Sequence, residues 1–153
     1  MLFYHVNGQR STIANADEYN VLPQTLEKKL VRIVRFQGQP GALSVADHMR
    51  LCWSLAPTYE IRRAMLTHDL AEVYTGDMHG LYKTESFRQF EERVEDALRA
   101  RGWFIAHNTP DMKRIDLYAL ELEKRHIWGE QPISLDDVPS WSDLIYTHRC
   151  YQP

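Results

Sequence analysis

The sequence predicts an all-α chain folded as one compact helical bundle. Apolar residues recur at helical spacing through most of it, and capping residues with Pro and Gly stops divide the runs into helices of ordinary length. A short strand or arm is expected only in the N-terminal MLFYHV, within residues 1–22, where aromatics, Gly8 and small polar residues show no helical period. At 153 residues the chain can bury about two thirds of its unfolded surface, so one domain over residues 1–153 needs no second core.

From Pro23, the spacing of Leu26, Leu30, Ile33 and Val34 predicts a first helix over 23–37, closed by Gly38 and Pro40, with Arg35 and Phe36 at its C-terminal edge. Ser44 caps a second helix whose Val45, His48, Met49, Cys52 and Trp53 share a face, and Pro57 ends it. Ile61, Met65, Leu66, Leu70 and Val73 predict a third helix stopping near Gly76, followed by a loop over 77–84. An amphipathic helix over 85–101 turns Phe87, Phe90, Val94 and Leu98 inward. Pro110 and Asp111 open a last long helix to about Trp128, carrying Ile115, Asp116, Tyr118 and Leu122. The Pro-rich stretch from Gly129 is expected to pack without regular structure.

Composition narrows the function. A formal net charge of −3 supplies no basic field for a nucleic-acid backbone, which disfavours polymer binding but leaves room for a small anion held by a few local cations. The two cysteines, Cys52 and Cys150, make neither a disulfide framework nor a paired-thiolate site, and both are expected as reduced thiols. No long apolar run or signal-like N-terminus is found, so the expected compartment is the cytoplasm, with no membrane partner.

His68-Asp69, within IRRAMLTHDLAEVYTGD, places an imidazole and a carboxylate side by side, a pairing suited to a hard or borderline metal ion. On a continuous third helix Glu72 lies one turn beyond His68 on the same side, while Asp69 is rotated by about 100°. A carboxylate there can take or orient the proton of an attacking water. His48 and Asp116 are the candidates to complete the ligand set. Taken singly, His48 reads as a core histidine, His68-Asp69 as a side-chain network and Asp116 as a solvated helix residue. Their order across three helices is harder to dismiss as coincidence, because a carboxylate buried beside imidazoles is costly unless paired or metal-bound, but spacing alone leaves a shared metal and a purely structural network equally open.

SVADH, THDLAEVYTGD and KRIDLYALELEKR, in that order, resemble the H…HD…D signature of the HD-domain metal-dependent phosphohydrolases, over about residues 30–128. RFQGQPGALSVADH is further similar to the RF-x-G…S-V-A-x-H block of the branch that holds bacterial 5′-deoxynucleotidases and small phage deoxynucleoside triphosphohydrolases, dATP-specific ones among them. The resemblance implies a compact HD-domain bundle with a divalent ion (Zn, Mn, Co or Mg) held by His48, His68, Asp69 and Asp116. It implies catalytic roles for Glu72 and Asp77, phosphate contacts from Arg35 and Lys83, a nucleotide substrate and a homo-oligomer. The chain departs from the pattern at GDMHG, where relatives carry a GD-x-P segment, and at Gln39, where some carry histidine; both departures bear on the base pocket. A non-catalytic nucleotide sensor retaining the same pocket is the alternative reading.

Overall fold

A computed structural model describes residues 21–153, together with the backbone of two short strands near the N-terminus, β1 (Phe3–Tyr4) and β2 (Arg10–Ser11). These strands pair antiparallel, with Phe3 opposite Ser11 and Tyr4 opposite Arg10, so the strand expected in MLFYHV forms. Apart from two isolated bridges and two 3-10 turns (Phe36–Gly38 and Gly80–Tyr82), the rest of the regular structure among the described residues is α-helical: α1 (Pro23–Leu30), α2 (Val45–Leu55), α3 (Tyr59–Met65), α4 (Glu72–Thr75), α5 (Glu85–Ala100), α6 (Pro110–Ile127) and α7 (Trp141–Thr147). The fold class is therefore all-α, as the periodicity predicts.

α2 is the central helix because two different faces of it are apolar. Val45, Ala46 and Met49 join Leu26 and Leu30 of α1, Val94 and Leu98 of α5 and Trp141, Leu144 and Ile145 of α7 in the larger core. Leu51 and Cys52 instead join Ala64 and Met65 of α3 and Met112 and Ala119 of α6 in a second cluster. Ser44 starts α2 by accepting a hydrogen bond from the Asp47 N–H at 3.1 Å, the cap that the sequence predicts.

Three expectations are corrected. The first helix ends at Leu30, not near residue 37. Its β-branched continuation turns extended and forms a bridge, with the Val45 N–H donating to the Ile33 carbonyl at 2.8 Å and the Arg35 N–H to the Leu43 carbonyl at 3.0 Å. Arg35 thus leaves an extended backbone just ahead of a left-handed turn through Phe36 and Gln37.

The third helix is interrupted. α3 stops at Met65 and helical structure resumes only at Glu72, the intervening turn being held by i→i+3 bonds such as Leu70 N–H to Thr67 O and Glu72 N–H to Asp69 O, each 3.1 Å. Side chains take the carbonyls that a continuous helix would use. His68 Nδ1 donates to Met65 O at 2.7 Å, and Trp141 Nε1 donates to Leu66 O at 2.8 Å.

The chain beyond Gly129 is also more ordered than expected. Trp141, Leu144 and Ile145 form the buried face of α7, and the Glu27 carboxylate of α1 receives both the N–H and the hydroxyl of Ser142 at that helix's start. Arg50 of α2 holds the preceding segment through the carbonyls of Leu135, Val138 and Pro139. The last residues pair with 102–104, where Gly102 is required: its φ is +99°, and a Cβ there would meet the Gln152 carbonyl oxygen at 2.5 Å. No described helix is long and apolar enough to cross a membrane.

A candidate metal centre between α2, the 66–71 turn and α6

His48 leaves α2, the helix that contributes to both apolar clusters; it is fully buried, and its ring is held at both nitrogens. Nδ1 donates to Glu123 Oε2 of α6 at 3.1 Å, which leaves Nε2 facing Asp116 Oδ1 at 2.9 Å. His68 repeats the arrangement from the 66–71 turn. Its Nδ1 must carry the proton, because its partner, the Met65 carbonyl, can only accept. Its Nε2 then faces the same Asp116 oxygen at 3.4 Å.

Asp69 enters from the residue next to His68, with Oδ2 at 3.3 Å from His68 Nε2 and 3.5 Å from His48 Nε2. On a regular helix, neighbouring side chains diverge by about 100° and would not meet at one point. The interruption after Met65 allows His68 and Asp69 to converge. The 100° divergence expected from sequence is thereby corrected, while the grouping of His48, His68, Asp69 and Asp116 in one place is what the structure contains.

Two imidazole nitrogens whose ring partners already hold a proton thus point at carboxylate oxygens at 2.9 to 3.5 Å. Lone pairs facing lone pairs repel unless positive charge lies between them, and either protons on the rings or a metal ion supplies it. The donor set fits a metal ion. For a tetrahedral zinc, with bonds of about 2.0 Å to nitrogen or oxygen, two such ligand atoms stand about 3.3 Å apart. The ligand atoms of His48, Cys52, His68 and Asp116 all lie within 4.8 Å of one another, a group able to hold a metal ion.

The electrostatics agree with a centre prepared for cationic charge. Burial opposes a charge on either imidazole, but Cys52, Asp116 and Glu123 around His48, and Asp69 and Asp116 around His68, more than offset it and raise both pKa values. Burial likewise works against ionised Asp116, yet its hydrogen bonds to the two histidines hold it far below the usual carboxylate range. Glu72 is the opposite case. Burial, then the charges of Asp69 and Asp77, push its carboxyl up to about 10, and its buried Oε2 has no hydrogen-bond partner among the described residues. Asp77 is also raised, by burial and by Asp69, although Arg35, His48 and Lys83 oppose the shift.

The remaining predicted residues are placed around this centre. Arg35 gives Glu123 a two-pronged contact at 2.8 and 3.2 Å and keeps Nη1 turned to Asp69 at 3.9 Å. Lys83 is tied to Glu91 of α5 at 2.9 Å, and its charge reaches Glu72 and Asp77. His79 is exposed and accepts the Leu81 N–H, so it closes its own loop.

Sequence reasoning missed Glu123 and Cys52. Glu123 lies seven residues after Asp116, two turns along the same face of α6, and its 1% exposure was legible only as a polar position on a buried stripe with Met112 and Ala119. The apolar residues at 115, 118 and 122 drew attention to a neighbouring face, of which Tyr118 is exposed. Cys52 follows His48 by one turn, a relation that its apolar neighbours concealed.

Searches of known protein families and of curated proteins return no match to this chain.

Proposed function

We propose that the chain is a metal-dependent phosphohydrolase of the HD type acting on deoxyribonucleotides. The observation that carries this reading is the convergence of His48 Nε2 and His68 Nε2 on the carboxylates of Asp69 and Asp116, with the guanidinium of Arg35 beside them. His48, His68, Asp69 and Asp116 would hold a divalent cation, Zn, Mn, Co or Mg, which when bound would supply Lewis-acid activation of water. The nucleotide substrate class rests on the H…HD…D resemblance and the RFQGQPGALSVADH block.

Around that ion the chain's own groups divide the work. Glu123 fixes Arg35 through one edge of the guanidinium and leaves Nη1 to donate to a phosphate oxygen. Glu72 and Asp77 are the catalytic acids: Glu72 holds or takes the proton exchanged at the reacting oxygen, and Asp77 places a second carboxyl near the phosphate. Lys83 offsets charge on the departing group. From a deoxynucleoside monophosphate the products are nucleoside and phosphate. From dATP or another triphosphate, attack at the α-phosphorus releases triphosphate. The protein works as a homo-oligomer in the cytoplasm.

The test is a panel of dNMPs, dNTPs and ribonucleotides incubated with protein loaded with each of the four metals, with phosphate, pyrophosphate and triphosphate separated. Deoxynucleotide-dependent release that disappears in Asp69→Ala is expected. Tight nucleotide binding without product under every metal would replace the enzyme with a nucleotide sensor.

A further inference from the structure

Cys52 is fully buried, and a buried free cysteine is ordinarily a small apolar filler. Its surroundings set it apart. It leaves α2 one turn after His48, and its Sγ lies 3.6 Å from His48 Nε2, the ring nitrogen that faces the candidate metal centre. With zinc bonds of about 2.3 Å to sulfur and 2.0 Å to nitrogen, S and N ligands of one tetrahedral ion stand about 3.5 Å apart. The sulfur is therefore at ligand distance from a ligand. The same holds for the group as a whole, since Cys52 Sγ, both histidine nitrogens and an Asp116 oxygen share a space 4.8 Å across.

Cys150 provides the contrast within the same chain. It is equally buried, but its sulfur lies 3.9 Å from the backbone carbonyls of Arg63 and His148, and among the described residues it belongs to no cluster of metal-ligating side chains. Burial is common to both cysteines; placement among ligands is particular to Cys52.

We propose that Cys52 is a further, inner-sphere thiolate ligand of the metal held by His48, His68, Asp69 and Asp116, and that the centre consequently selects zinc or cobalt over magnesium and manganese. The inference rests on the metal-centre reading above. On coordination the S–H bond breaks, the metal–sulfur bond forms and the proton leaves to solvent, with no redox change. The selectivity follows from the ligand's softness: thiolate favours zinc and its like, whereas carboxylate, carbonyl and water suit magnesium and manganese.

Cobalt(II) is the probe, titrated into the chelator-treated full chain. A sulfur-to-cobalt charge-transfer band in the near ultraviolet is expected beside the visible ligand-field bands. It should persist in Cys150→Ser and vanish in Cys52→Ala while the visible bands remain. Because the chain has only two cysteines, persistence in Cys150→Ser assigns the band even if Cys52→Ala does not fold. Visible bands without the near-ultraviolet band in the wild type overturn the Cys52 ligand and leave the metal centre standing. Absence of any cobalt binding overturns both.

Discussion

Glu123 accepts from two residues at once, the Arg35 fork and the His48 Nδ1–H, while almost wholly buried. An acceptor behind a ligating histidine fixes its tautomer and raises its basicity, and losing such a partner typically costs about 10- to 100-fold in metal affinity. Glu123→Gln should show that loss in a competition titration against a chromogenic chelator, with Arg35 also released to solvent. Unchanged affinity would remove Glu123 from the centre. Glu72 gives a second residue-level prediction, on stability in the metal-free protein. Its carboxyl is pushed up to about 10 from 4.5, so between those values the folded chain keeps a proton that the unfolded chain has released. Its contribution is complete below pH 4.5 and declines as pH rises toward about 10. Glu72→Gln has no proton to lose. Under chelator its urea midpoint should fall less than the wild type's from about pH 6 to about pH 9, and parallel curves would contradict the buried acid.

At the scale of elements, the interruption after Met65 is what turns adjacent residues into co-ligands, and it was not legible in the sequence. Ile61, Met65, Leu66, Leu70 and Val73 fit a helical period well, because a helix followed by i→i+3 turns buries nearly the same positions. The information that breaks the helix lies far away in the chain: Trp141 takes Leu66 O, and the Thr67 hydroxyl donates to Phe104 O at 2.8 Å. Local pattern sufficed where local physics decides, as at the Ser44 cap and along α2 and α5. It failed at α1's end and at α7, where cross-chain bonds decide. Two substitutions separate these cases. Thr67→Val keeps the shape but leaves the Phe104 carbonyl without its donor, at about 1–3 kcal/mol. Ser44→Ala removes a helix cap for about 1 kcal/mol. Both should lower the urea midpoint comparably, yet only Thr67→Val should weaken metal binding, because only it loosens the turn bearing His68 and Asp69. Equal metal affinity in the two variants would detach the turn's geometry from the centre.

For the molecule as a whole, the centre joins three parts of the chain that do not adjoin in sequence: α2 through His48, the 66–71 turn through His68 and Asp69, and α6 through Asp116. An ion seated there is a cross-link present only in the folded state, so its binding energy adds to folding stability. The size of the effect follows from mass action. At free metal about 100 times the dissociation constant the gain is about 2.7 kcal/mol, which for a chain of this length raises Tm by roughly 5–10 °C. Thermal unfolding of chelated protein, with and without added zinc or manganese, measures it directly. Asp116→Ala should lose the shift, since it takes away the oxygen that both histidines face, whereas Ser44→Ala should start lower and gain the full shift. A wild-type Tm indifferent to saturating divalent metal would mean that the histidines and carboxylates hold one another through protons alone, and the proposed hydrolysis would lose its foundation.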